Sequence, residues 1–178
     1  MTRPTTTGTE AHPYLRLHRT DIEGRYRRFI DDVLTEGRLE VIDDLVGEKF
    51  TMYTTDDPEP IRGPEGLKAH VASYRRAFPD LSCDLESVVV SGPHLAGRWT
   101  MTGTHEGRFR GLEPTGTRVT VSGVDFVGFE NGTFRERWEL LDTLTALEEL
   151  DASTPSVDDE RALEDRSPVD WTHRTPRR

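Results

Sequence analysis

The sequence predicts an α+β domain. Three observations carry that prediction. Apolar residues recur at helical spacing up to Pro79, the spacing turns strand-like after it, and no strand–helix–strand alternation intervenes.

The elements follow in order. Thr20 and Glu23 have the spacing of a capping box, so a first helix is expected near Thr20. Ile22, Tyr26, Phe29, Ile30, Val33 and Leu34 then share one face, and Gly37 offers a stop. A short second helix over 39–46 would bury Ile42, Leu45 and Val46. Residues 50–54 read as a short strand, broken by Pro58 and Pro60. Pro64 opens a third helix, where its missing N–H costs nothing. Leu67, His70, Val71, Tyr74 and Phe78 form its apolar stripe, and Pro79 ends it. Strands are expected at 85–91 and 95–104, across Gly92-Pro93, and at 118–129 and 133–141, across Asn131-Gly132. Leu144, Leu147 and Leu150 suggest a final short helix.

A chain of 178 residues suffices for one ordinary domain with a core. We expect residues 1–17 to be a polar lead-in, 18–151 the domain, and 152–178 a disordered or loosely docked tail in which Trp171 is a possible anchor. The formal net charge of −10 gives no general attraction to nucleic acid or anionic lipid. No apolar run is long enough to span a membrane, and the Thr-rich start is not a secretory signal. Cys83 is alone, which excludes an internal disulfide and a cysteine metal cluster and reads as a small packed residue. A reduced, cytoplasmic setting is the expectation. No phosphate-binding loop, dinucleotide fingerprint or paired zinc-type histidines occur.

The chemistry points to residues 99–142. A three-residue loop at Glu130-Asn131-Gly132 would set Asp125 opposite Arg137, with Glu139 on the same face opposite Gly123. A two-residue loop would put Asp125 and Glu139 on opposite faces. Two readings of the first register stand side by side. In one, Val124, Phe126, Phe134, Trp138 and Leu140 are core, and Asp125–Arg137 is a solvated ion pair. In the other, Val119, Val121, Val127 and Phe129 surround Asp125 in a mostly apolar pocket with a few polar groups. His105 shares a face with Trp99 and Met101 by alternation and is the other titratable candidate. A carboxyl such as Glu139, poised between burial and a nearby cation, can exchange a proton near neutral pH.

The runs Gly103-Thr104-His105-Glu106-Gly107, Pro114-Thr115-Gly116, Phe129-Glu130-Asn131-Gly132 and Arg135-Glu136-Arg137-Trp138-Glu139 resemble those of the SnoaL-like family of the NTF2-like superfamily. Gly63-Pro64-Glu65-Gly66 and Phe78-Pro79-Asp80-Leu81 match upstream, so the resemblance covers roughly residues 21–150. It implies an NTF2-like conical barrel, a curved, mostly antiparallel sheet wrapped around a pocket and closed by the N-terminal helices. It implies ring closure by an intramolecular aldol reaction without cofactor or metal. The acid/base of such cyclases is an Asp directly after a Trp, and here Glu139 follows Trp138. Asp125 stands where those cyclases carry a His fourteen positions before the acid, and Arg137 replaces the His before the Trp. Relatives that open epoxides to cyclic ethers resemble this chain through a His and Glu pair, a part His105 and Glu139 could take.

The expectation is therefore a cofactor-independent cyclase or isomerase acting on a small-molecule substrate. Glu139 is the acid/base, Asp125 and His105 its partners, and Arg137 an electrostatic stabiliser. Trp99, Met101, Phe109 and Tyr53 are candidate pocket walls that could equally be ordinary core. An epoxide hydrolase and a non-catalytic binding module are the alternatives. The resemblance also implies a homodimer formed through the outer sheet face.

Overall fold

The computed structural model describes residues 19–55, 57–142, 145, 146 and 150. The expected lead-in and tail, Trp171, Leu144 and Leu147 lie outside these residues. Helix α1 (Arg19–Arg28) continues as a π-helical stretch, Phe29–Thr35. A 3₁₀ turn (Leu39–Val41) leads into α2 (Ile42–Leu45), then strands β1 (Val46–Thr54) and β2 (Ile61–Arg62) and helix α3 (Gly63–Ala77). Strands β3 (Ser82–Ser91), β4 (His94–Thr104), β5 (Arg118–Glu130) and β6 (Thr133–Leu141) follow. All six strands form one mixed sheet in the order β2-β1-β6-β5-β4-β3, parallel only between β1 and β6. This is the α+β class, with the helices packed on one face of the sheet.

Several boundaries differ from the sequence-based expectation. The backbone is already helical at Arg19, so Thr20 is not the cap. Val46 belongs to β1 rather than to the second helix, and β3 begins at Ser82, taking in Cys83. The apolar stripe of the first helix holds. Ile22, Tyr26, Phe29, Ile30 and Val33 are fully buried against the sheet, and the π geometry lets Phe29, Ile30, Val33 and Leu34 all face inward. Arg75 ties α3 to the end of that helix, its Nη1 donating to the carbonyls of Leu34 and Thr35 at 2.8 Å each. Those carbonyls would otherwise lack partners at a helix end. Thr145 and Ala146 are helical and Leu150 is buried, where a closing helix is expected.

The β5–β6 hairpin decides the site. Its loop has two residues: Glu130 pairs with Thr133, and Asn131 and Gly132 have φ of 51° and 89°. Two consecutive positive φ values make the tight turn that suits strand twist, which explains the Asn-Gly pair. The three-residue loop is thus corrected. A two-residue loop alone would separate Asp125 from Glu139. However, Phe129 pairs with Phe134 while Gly128 pairs with Glu136, so Arg135 is an extra residue on β6. This bulge shifts the register by one and restores the shared face. Asp125 lies opposite Glu139 and Val127 opposite Arg137.

The shared face is the inner one. Asp125, Val127, Arg137 and Glu139 are buried, whereas Val124, Phe126 and Leu140 are exposed on the outer face. The solvated Asp125–Arg137 pair is therefore corrected. Phe134 stays inside because it precedes the bulge, and Trp138 lies outside.

Candidate active site

Four charged or polar side chains meet beneath the helices. From α1, the Tyr26 hydroxyl donates to Asp125 Oδ2 at 2.7 Å. Arg137 Nη2 lies 3.0 Å from the same oxygen and also donates to Glu139 Oε2. The guanidinium rests over the Phe29 ring, 4.9 Å from its centroid, and Nη1 reaches Met52 Sδ at 3.8 Å. Tyr26 and Asp125 are 0 % exposed and Arg137 is 1 % exposed, so these three are closed to bulk solvent. Glycines make the room. A Cβ at Gly97, opposite Asp125 on β4, would meet the Tyr26 ring at 2.5 Å, and one at Gly123 would meet Trp99 at 2.2 Å.

The electrostatics follow from this packing. Burial alone would push the Arg137 guanidinium down, but Asp125, then Glu139, outweigh it and raise it, so it is charged at any working pH. Burial, and then the Asp125 carboxylate, push the Tyr26 phenol far above its ordinary range. Tyr26 is a fixed donor. Asp125 Oδ2 is engaged from two sides while Oδ1 has no partner among the described residues.

Glu139 is placed differently. It lines a cavity of about 20 Å³ with Leu34, His70, Val71, Tyr74, Leu81 and Met101. Its second carboxyl oxygen, Oε1, lies 4.0 Å from His70 Nε2. Tyr74, Leu81 and Met101 also border an apolar cavity of about 30 Å³ walled by Phe78, Phe109, Val119 and Val121. On the other side of His70 and Tyr74, an open groove of about 310 Å³ is lined by Thr54, Asp57, Ser73, Arg108, Phe109 and Arg110.

Of the residues singled out from sequence, Asp125, Arg137 and Glu139 come together, and Met101 and Phe109 border the cavities. His105 does not join them. Asp125 pairs with Gly97, eight residues along β4, or about 26 Å of strand at about 3.3 Å per residue. His105 is fully buried there, its Nδ1 facing the Thr115 hydroxyl at 3.1 Å and accepting from the Thr115 N–H at 3.3 Å. Its ring packs 5.4 Å from that of Phe78, as a structural histidine would. Tyr53 is not a wall either. It stacks on Trp138 at 4.1 Å on the outer face, and its neighbour Met52 points inward. Trp99 is fully buried core and borders none of these cavities. Asp125 borders none of them, and Arg137 bridges its carboxylate to that of Glu139.

Sequence reasoning missed two residues. Tyr26 and His70 both sit in apolar helical stripes, where the periodicity accounts for them as packing. The signal that could have found them is polar: a Tyr hydroxyl and an imidazole on faces directed at a sheet carrying Asp, Arg and Glu. Among the described residues, no group of three or more His, Cys, Asp or Glu is placed to hold a metal ion. No described helix is long and apolar enough to cross a membrane.

Comparison with known proteins agrees with this architecture. TsrD from Streptomyces laurentii superposes with a TM-score of 0.70 at 26% identity, covering 77% of this chain and 99% of that one. A protein from Jannaschia sp. CCS1 named as a SnoaL-like polyketide cyclase also gives 0.70, at 23% identity over 83% of this chain and 100% of its own. A protein from Bacillus cereus ATCC 10987 named as a polyketide cyclase gives 0.63 at 27% identity, over 75% of this chain and 82% of its own. No curated protein matches the chain. The model of the SnoaL-like polyketide cyclases matches residues 24–150, most of the chain, and the protein belongs to that family.

Proposed function

We propose that this protein is a cofactor-independent cyclase or isomerase that uses Glu139 for general acid–base catalysis on a polyketide-type small molecule. The observation that carries the reading is the division of labour between the two oxygens of Glu139. Oε2 is held by Arg137, and Oε1 lies 4.0 Å from Nε2 of His70, with which Glu139 shares the cavity. A carboxylate held by a guanidinium at one oxygen, with an imidazole near the other, is oriented for proton transfer. Asp125 and Tyr26 act behind it by holding Arg137. The guanidinium also offers fixed positive charge near an enolate or alkoxide as it forms. Met101 and Phe109 supply apolar wall. Intramolecular aldol closure and epoxide opening both need only this proton traffic and a substrate held in a reactive fold.

The test is turnover. A panel of linear polyketide and epoxide substrates is screened with the wild type, and each hit is repeated with Glu139→Gln. Loss of about 10²–10⁴-fold in kcat supports the reading. Turnover by Glu139→Gln within threefold of wild type (about the scatter of such assays) would sink it, since a whole acid–base contribution is much larger.

One observation favours an epoxide hydrolase as the second reading. The cavity at Glu139 has room for a water but not for a second large group. Turnover of an epoxide in ¹⁸O-labelled water separates the two. Label in the product means hydrolysis, and its absence means internal ring closure. The exposed Val124, Phe126 and Leu140 support the homodimer through the outer sheet face that the resemblance implies. Light scattering of Phe126→Glu at a monomer mass, with the wild type at twice that, would bear this out, and a monomeric wild type would end it.

A further inference from the structure

Among the described residues, His70 and Tyr74 border both the inner cavity of Glu139 and the open groove outside it, and of the two only an imidazole ordinarily changes charge near neutral pH. It projects from the middle of α3, and its side chain is 20 % exposed against 7 % for Glu139. Its ring packs edge-on against Tyr74, one helical turn on, with centroids 4.9 Å apart. The Nε2–Oε1 separation of 4.0 Å is longer than a hydrogen bond, and a shift of about 1 Å closes it. At that distance, in a site this enclosed, the charge on one group bears strongly on the proton affinity of the other. Among the described residues, Asp57 after β1 and Arg108 and Arg110 after β4 line the groove with His70, and Arg137 stands on the far oxygen of Glu139.

We propose that His70 is the second proton-transfer residue of the site, sharing a proton with Glu139 and carrying it between the cavity and the groove. This rests on the acid–base reading of Glu139. The cycle balances without a co-reactant. Glu139 Oε1 takes a proton from the substrate carbon or hydroxyl. The His70 imidazolium gives its Nε2 proton to the substrate oxygen on which negative charge develops, leaving a neutral ring. The proton on Glu139 then passes to Nε2, and both groups return to their starting states. A lone carboxyl would have to move the same proton from one substrate atom to the other. Two proton sites remove that constraint, and the outer groove lets His70 re-equilibrate with solvent if a product leaves early.

The experiment is a paired NMR titration of the full-length chain. The six histidines are distinguished by His70→Gln, and the Glu139 carboxyl carbon by Glu139→Gln. The His70 imidazole is expected to titrate at least about one unit higher in wild type than in Glu139→Gln, tenfold in proton affinity. The Glu139 carboxyl carbon in wild type should show a step at the His70 midpoint, and that step should vanish in His70→Gln. The second measurement uses Glu139→Gln only for assignment, and sequential assignment of the wild-type carboxyl carbon replaces it if that variant does not fold. A Glu139 curve without a step at the His70 midpoint overturns the proposal. Where a turned-over substrate is in hand, His70→Gln should lower kcat by about 10²-fold and remove one limb of its pH profile. An unchanged profile overturns the role of His70 and leaves Glu139 in place. Loss of the acid–base reading would instead show as full turnover by Glu139→Gln.

Discussion

Replacing Arg137 by Met tests the buried cluster most directly. Met has similar length and keeps the apolar contact with Phe29 and Met52, so the change removes charge more than volume. What remains is two carboxyl groups at paired positions on adjacent strands, both nearly without solvent. Asp125 would retain the Tyr26 hydroxyl. Breaking a buried ion pair in this way costs about 3–5 kcal/mol, against about 0–1 kcal/mol for an exposed pair. Domains of this kind have about 5–15 kcal/mol in total, so the loss is a large fraction. With a urea m-value of about 2 kcal/mol/M, the unfolding midpoint should fall by about 1.5–2.5 M. The triple variant Asp125→Asn/Arg137→Met/Glu139→Gln removes the stranded charges and should recover at least about 2 kcal/mol of that loss. Urea melts followed by circular dichroism measure both. A single-variant cost under about 1 kcal/mol, or a triple variant no better than the single one, refutes the reasoning, because the cluster would then behave as a solvated pair.

Three further outcomes are expected. Gly97→Ala and Gly123→Ala should each cost about 1–3 kcal/mol in thermal melts, because the new methyl groups run into Tyr26 and Trp99, whereas Gly24→Ala, which meets nothing within 4 Å, should not destabilise. Burial pushes the Cys83 thiol up, so a thiol reagent should leave the native protein unmodified at pH 8 and label it fully in denaturant. The Thr104 N–H and hydroxyl hold Asp80 below the ordinary carboxyl value. Its stabilising effect is therefore complete above the unfolded value near about 4 and is lost as pH falls through the lower folded one, so Asp80→Asn should flatten the acid limb of the stability profile below about pH 4.

Element types were legible in the sequence because they depend on local periodicity. The inner face of the first helix, the stripe of α3 and the β5–β6 hairpin all follow from spacing and turn chemistry. The site was legible only in part, because it depends on one extra residue. Nothing in Arg135 itself signals a bulge, yet without it Arg137 and Glu139 would lie on the opposite face from Asp125. The expected face was right although the expected loop and pairings were not. His105 was misplaced for a related reason. Alternation along β4 shows that it points inward but not that the cavity lies further back along the strand. Tyr53 is expected as a wall, yet Met52 holds the inner face, because the strand at 50–54 is too short to tell its two faces apart. Tyr26 and His70 needed the third dimension, since each meets its partner across a helix–sheet interface.

The cluster itself argues for function over stability. An arginine with two carboxylates is a poor way to fill a core, and well-packed apolar residues of the same volume are often as stabilising or more so. Here the cost is visible, for Arg137 Nε and Asp125 Oδ1 have no partner among the described residues although both are buried. The arrangement does something that an apolar core cannot. It fixes one oxygen of Glu139 and leaves the other directed at His70, on a rigid strand, with no loop to move it. Asp125 and Tyr26 carry no such opening to the cavity, and their geometry makes sense as the anchor that keeps Arg137 from swinging toward it. The chain thus spends buried charge where a carboxyl must be aimed, and Glu139, the member of the cluster that borders the cavity, is where that aim is directed.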